Sequence, residues 1–430
     1  MGAAPDEEEA SQALIFGLIV LALASAPSLR GQEAAAVRVL SWQDCVSLAA
    51  RHNPELASSL AAWRADRSRY RGSFNALLPR LSLSNRYTDS RAASGQSRWQ
   101  ADGSASIDLF SMESYAGIRG ASAALERSAA DARARSSEIR LSLRTAFSDL
   151  LFAQEQLGVS RRVLDLRARN AELVSLKYDS GRESKGNNLR AEAELADAQA
   201  QFNAAGRALK VARRELARRI GLDEFEVIAA SGTLEAVPLP AEADVGAIER
   251  RHPLLLQADA SRRAARAALG QSRAALWPSL SASYSRTLQD RGYFPSQPGW
   301  SASGLLSYPL FSGGPTAALH DISAARRDLE GSEQELRSVR YQVRSELESA
   351  WAELAESVDQ VEVRRRFLEA ARQRNEEASI RYSAGLMSFE NWELIVTELV
   401  NSERGWVRAR RDAMVARAAW DRSLGAVLEE

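Results

Sequence analysis

What this sequence lacks narrows it first. Its single cysteine, Cys45, excludes an intramolecular disulfide framework, and three histidines (His52, His252, His320) leave little material for a His/Cys metal site. Only four methionines are present, so nothing hints at metal handling. Neither sign of charge dominates: 56 Lys and Arg balance 56 Asp and Glu, and no basic stretch is long enough for a nucleic-acid arm. A nucleophile elbow, a P-loop, a dinucleotide fingerprint and a metal-ligand cluster are all missing, which leaves no ground for expecting an enzyme, a cofactor or a bound metal. Past residue 30 no apolar run can cross a bilayer as a helix, and membrane insertion would have to use strands. The run at residues 14–24 is too short to span but suits a signal-peptide core, with Ala24-Ser25-Ala26 as a cleavage signal. Residues 1–30 are therefore expected to be a signal region, although Pro27 and the acidic residues 5–9 depart from the usual pattern. Cys45 is not placed as a lipobox cysteine, so the secreted chain is expected to carry no lipid.

What is present is written twice. Asn53-Pro54-Glu55-Leu56 and Leu78-Pro79-Arg80-Leu81-Ser82 return, at the same internal spacing, as His252-Pro253-Leu254-Leu255 and Trp277-Pro278-Ser279-Leu280-Ser281. The alternating stretch from Trp99 to Ser111 returns from Trp300 to Ser312, and Tyr178-Asp179-Ser180-Gly181 returns as Tyr382-Ser383-Ala384-Gly385. Anchors so evenly displaced mean one structural unit in two copies, over 38–221 and 245–425, joined by a linker at 222–244. His52 and His252, ahead of the repeated prolines, are expected at helix-initiating positions.

Each unit mixes two periodicities. Period-two alternation predicts strands near 81–88, 99–109, 280–288 and 300–310, with loops at 89–98 and 289–299, and aromatic residues gather near the strand ends. Each strand has about the 9–11 residues that a tilted membrane strand needs. Alternation alone is better met by a soluble sheet with one wet face. The remainder is helical. Ile139, Leu143, Ala146, Leu150, Ala153, Leu157, Ser160 and Leu164 keep a 4-3 spacing, as do Val343, Leu347, Ala350, Leu354, Ser357, Val361, Arg364 and Leu368. A sustained period of 3.5 predicts left-handed coiled coils. From Pro315 to Arg381 no second proline occurs, which allows a helix of about 100 Å. Gly181 and Gly385 end the long helices, and return helices run to Gly221 and Gly425. Four strands cannot close a spanning barrel, so a membrane placement would require other copies to pair their edges.

In this ordered, doubled set of motifs the chain resembles the TolC-like outer-membrane efflux proteins, the outer-membrane factor family, over roughly residues 38–425. The resemblance implies a mostly α fold with a membrane β-barrel portion: a homotrimer in outer-membrane lipid whose four strands per chain close one twelve-stranded barrel. Its long helices would form a periplasmic α-barrel. It also implies a passive exit duct, engaged by a periplasmic adaptor (membrane fusion) protein and an inner-membrane transporter of RND, ABC or MFS type. On this reading Tyr178, Gly181, Arg182, Tyr382, Gly385, Leu386 and Met387 form the tips that receive the adaptor. Family members commonly carry an aspartate six residues after each tip glycine, at the closed entrance. Here Asn187 and Asn391 stand there, with Glu183, Glu390 and Glu393 as further candidates for the constriction. A secreted, soluble periplasmic coiled-coil scaffold is the competing reading, which heptads alone do not exclude.

Overall fold

In the computed structural model the described residues are 37–89, 98–222, 227–234, 238–240, 244–290, 296–308, 310–311 and 314–428. The signal-like run at 14–24, most of the first expected outer loop, and parts of the second loop and of the inter-repeat linker lie outside them. Each unit opens with a break that proline imposes. Helix α1 (Trp42–His52) starts in a capping box between Ser41 and Asp44 and stops at Asn53. Pro54, whose missing N–H is harmless in a first turn, then begins α2 (Pro54–Ser73). His52 is the last residue of α1, not a helix start. The cap is Asn53, whose side chain accepts from the Leu56 backbone N–H at 2.9 Å and donates to the Arg219 carbonyl at 2.7 Å.

A short 3-10 turn, Phe74–Leu77, leads into the strands β2 (Arg80–Thr88) and β3 (Arg98–Phe110), which follow β1 (Arg38–Leu40) in the chain. Helix α3 (Met112–Asp179) runs for 68 residues and returns as α4 (Lys185–Ile220). After β4 (Ile228–Ala230), the second unit repeats the plan. It consists of α5 (Val245–Glu249), α6 (Pro253–Ala274), β5 (Ser279–Asp290), β6 (Gln297–Ser307), the 69-residue α7 (Pro315–Ser383) and α8 (Phe389–Ser423). Among the described residues no helix is long and apolar enough to cross a membrane.

The four long strands form one antiparallel sheet in the order β2-β3-β5-β6. Its register places Ser82, Ser104, Ser285 and Ser301 in one row, and Leu83, Gly103, Arg286 and Trp300 in the next. The sheet therefore has a serine face and an apolar face. On the serine face Ser82 meets Ser104 at 2.7 Å and Ser285 meets Ser301 at 2.9 Å. Among the described residues both outer strands have one unpaired edge. Far from this sheet, β1 and β4 make a small parallel pair that the periodicities did not foreshadow. The Gln154 side chain covers the free edge of β4, exchanging hydrogen bonds with the Ala230 N–H (2.9 Å) and carbonyl (3.1 Å).

The heptad seam is the core. Ile139, Leu143, Ala146, Leu150 and Ala153 are buried beside Leu216, Ile220 and Ile228, and Val343, Leu347, Ala350 and Leu354 form the matching cluster of the second unit with Trp420. Arg364, at a seam position of the second heptad run, is exposed. The two units meet where α3 packs along both α6 and α8.

Candidate functional site

Each long hairpin turns by the same local device. At the first tip the Gly181 N–H donates to the Tyr178 carbonyl (2.9 Å) and the Arg182 N–H to the Lys177 carbonyl (2.8 Å). At the second, Gly385 donates to Tyr382 (3.1 Å) and Leu386 to Arg381 (2.8 Å). These paired bonds satisfy the last carbonyls of the outgoing helix and need a left-handed residue, supplied by Gly181 (φ 71°) and Gly385 (φ 76°). The return helices then start at Ser184 and Ser388, whose hydroxyls accept from the backbone N–H groups of Asn187 (3.1 Å) and Asn391 (3.4 Å). Both asparagines thus occupy the third position of a capped helix.

The tips differ in packing. Tyr382 is 1 % exposed, stacked on Trp392 at 4.2 Å with the rings 9° apart, and Phe389 sits edge-on to both. The Lys177 ammonium lies 3.9 Å from the Tyr382 ring centroid and donates to the Tyr382 carbonyl. The Tyr382 hydroxyl donates to Glu183 at 2.9 Å, which ties the second tip to the first. Burial alone would raise the Glu183 pKa. Hydrogen bonds from the Asn187 amide (2.8 Å), the Ser184 N–H (3.0 Å) and Tyr382 outweigh it and hold the carboxyl below its ordinary value. Burial, and then the Glu183 carboxylate, push the Tyr382 phenol the other way, well above its usual range.

The sequence-selected residues therefore divide. Tyr178, Gly181, Arg182, Gly385 and Leu386 face outward, Leu386 at 79 % exposure, while Met387 leans on the aromatic cluster. Tyr382 turns inward and shapes the tip instead of presenting a surface. Of the constriction candidates, Asn187 and Glu183 bond each other, and Asn391 and Glu390 are exposed. Glu393 is 5 % exposed and offers no free carboxylate, because it takes two hydrogen bonds from Arg167, at 2.7 and 2.8 Å.

Arg167 was not singled out from the sequence. It belongs to α3, donates also to Thr397 (3.2 Å) on α8 and lies 3.3 Å from Glu194 on α4, so one guanidinium joins three helices of both hairpins. A signal was available: three residues after Leu164 it takes the next seam position, where a charge must find a partner. Beside it a groove of about 450 Å³ runs between α4 and α8, lined in part by Arg190, Asp197, Glu390 and Arg404. Among the described residues no group of acidic, histidine and cysteine side chains is placed to hold a metal ion. The tips offer shape, charge and an exposed leucine, but no reacting group.

The outer membrane efflux protein family model matches residues 45–222 and 245–426. No curated protein sequence matches significantly. Among solved structures the chain is similar to the outer-membrane channel OprN, with 20 % identity, 90 % of each chain covered and a TM-score of 0.80. It is also similar to the outer membrane protein VceC from Vibrio cholerae (17 % identity, 90 % of this chain and 96 % of that one, TM-score 0.77). A third similar structure is the open state of the Neisseria gonorrhoeae MtrE outer membrane channel (20 % identity, 90 % and 89 %, TM-score 0.76).

Proposed function

This chain belongs to the outer membrane efflux protein family, and from that premise we propose that three copies close into one passive exit duct. The family match sets aside the soluble scaffold that heptads alone allow, and places the sheet in the outer membrane with the helices extending into the periplasm. The observation that carries the trimer is the four-stranded sheet with two unpaired edges: in lipid those edges need partners, and three copies supply twelve strands. The helices support the same closure. α4 and α7 lie at opposite edges of the helical layer and expose Leu189 and Val211 on one, and Leu319, Tyr341 and Val363 on the other.

In this reading the serine face lines the barrel, the two repeats with their linker build the wall, and no step is catalytic. The outward tip residues Tyr178, Gly181, Arg182, Gly385 and Leu386, with Met387 beside them, receive a periplasmic adaptor that couples the duct to an inner-membrane transporter of RND, ABC or MFS type. The constriction lies where Asn187, Asn391 and Glu390 converge. Two measurements test this. Light scattering in detergent is expected to give three times the mass of the chain, and a monomer refutes the closure. Leu386→Glu combined with Gly181→Glu is expected to abolish export while leaving the oligomer intact, and normal export removes the docking role.

A further inference from the structure

The apolar face of the sheet carries one charge below its rim. Arg286 sits there between Gly103 and Trp300, in the row that also holds Leu83. The neighbouring side chains are apolar and open, Leu83 at 91 % and Trp300 at 75 % exposure. Arg286 is itself exposed and has no hydrogen bond or ion pair among the described residues. Other strand charges point away: Arg80 and Asp108 pair at 3.2 Å on the serine face, where Asp102 also accepts from Thr287 at 2.6 Å. Asp290 belongs to the apolar face but stands at its outer end, opposite Trp99, and accepts from Ser296 at 2.6 Å.

The depth of Arg286 is specific. It is the eighth residue of β5, about 23 Å along a strand that begins at the helical end. With a tilt of about 40° that is roughly 18 Å up an apolar band about 25 Å tall. The remaining distance of about 7 Å is within reach of an extended arginine, whose aliphatic stem stays in the apolar layer while the guanidinium reaches the interface. Tyr87 and Trp99, with ring centroids 5.0 Å apart, occupy the same outer zone, as an aromatic belt does.

We propose that Arg286, with Trp300 beside it, binds the phosphate of an anionic lipid headgroup in the outer leaflet. A guanidinium matches phosphate oxygens in a bidentate fork, and Trp300 packs against the headgroup boundary. Free phosphate is the poorer fit, because one cation amid leucine and tryptophan gives it nothing beyond a single fork. The site rests on the outer-membrane placement of the strands and is independent of how many copies close the barrel.

The purified full-length chain is delipidated in neutral detergent and offered equimolar phosphatidylglycerol and phosphatidylcholine, and retained lipid is counted by native mass spectrometry. The expected result is roughly tenfold preferential retention of phosphatidylglycerol, which falls to about parity in Arg286→Gln and survives in Arg86→Gln, a serine-face control. Equal retention of both lipids by the native protein overturns the site, as does unchanged preference in Arg286→Gln or loss in Arg86→Gln. Displacement of the retained lipid by millimolar inorganic phosphate overturns the lipid assignment. Conductance of Arg286→Gln in a planar bilayer, expected to match the native channel, separates this result from any failure of the duct itself.

Discussion

At the residue scale, the duplication exposes what each side chain contributes by showing its counterpart. Asn53 and His252 hold the same position ahead of the repeated prolines, but only Asn53 caps its helix, and the buried His252 has an unpartnered Nδ1. Burial depresses the His252 pKa, so the folded state favours the neutral ring. The unfolded chain therefore binds the proton more readily, and stability is fully present above the unfolded value near 6.5 and is lost as pH falls through the folded one. His252→Asn is expected to remove that acid-side slope and to add about 1 kcal/mol from the restored cap. Melting curves between pH 5 and pH 8, read beside the native protein, check both. The glycines that end the return helices make a second pair. A Cβ on Gly221 would meet the His52 carbonyl oxygen at 2.2 Å, and one on Gly425 would meet Pro253 at 2.8 Å, whereas the tip glycines have open space around them. Gly181→Ala is therefore expected to cost only the left-handed backbone, about 1–2 kcal/mol. Gly221→Ala should cost well beyond that and lower the yield of folded protein; equal melting temperatures for the two variants contradict this account.

At the element scale, the seam of α3 from Ile139 to Leu164 carries no charge, and at Arg167 one charge replaces a leucine-like position and draws Glu393 and Glu194 toward it. Removing one partner of a buried pair strands the other charge, which costs about 3–5 kcal/mol, while replacing both by apolar residues is often neutral. Arg167→Gln is thus expected to melt several degrees below the double variant Arg167→Met with Glu393→Met. If the single variant is the more stable, the pair does not join the hairpins as described. The elements themselves were largely legible. Strict alternation placed strands near 81–88, 99–109, 280–288 and 300–310, and the structure has them at Arg80–Thr88, Arg98–Phe110, Ser279–Asp290 and Gln297–Ser307. Long 4-3 runs and the Gly-ended turns foreshadowed the hairpins for the same reason: period and φ are local properties. What escaped is non-local. The β1–β4 pair joins three-residue strands from distant parts of the chain, too short to show a period, and the Tyr382–Glu183 and Arg167–Glu393 links depend on how two hairpins dock.

At the scale of the whole molecule, threefold closure would present every tip residue three times around one axis, so the acidity of the entrance depends on which carboxylates are free. Glu393 is consumed by Arg167 and Glu183 by Tyr382 and Asn187, while Asn187 and Asn391 carry no charge. Glu390 is exposed, borders the groove between α4 and α8, and has no ion pair among the described residues. Like charges held close repel and concentrate counter-ions, so a ring of three Glu390 carboxylates attracts cations, but with half the charge of two stacked acidic rings. Multivalent cations added on the periplasmic side of a planar bilayer are therefore expected to block single-channel current only weakly, and Glu390→Gln to abolish the remaining block. Asn187→Asp with Asn391→Asp should convert weak block into tight block by adding two acidic rings at the same level. Tight block of the native channel that survives Glu390→Gln would mean that a carboxylate now placed inside the hairpins, Glu393 or Glu183, is released toward the axis when the three copies assemble.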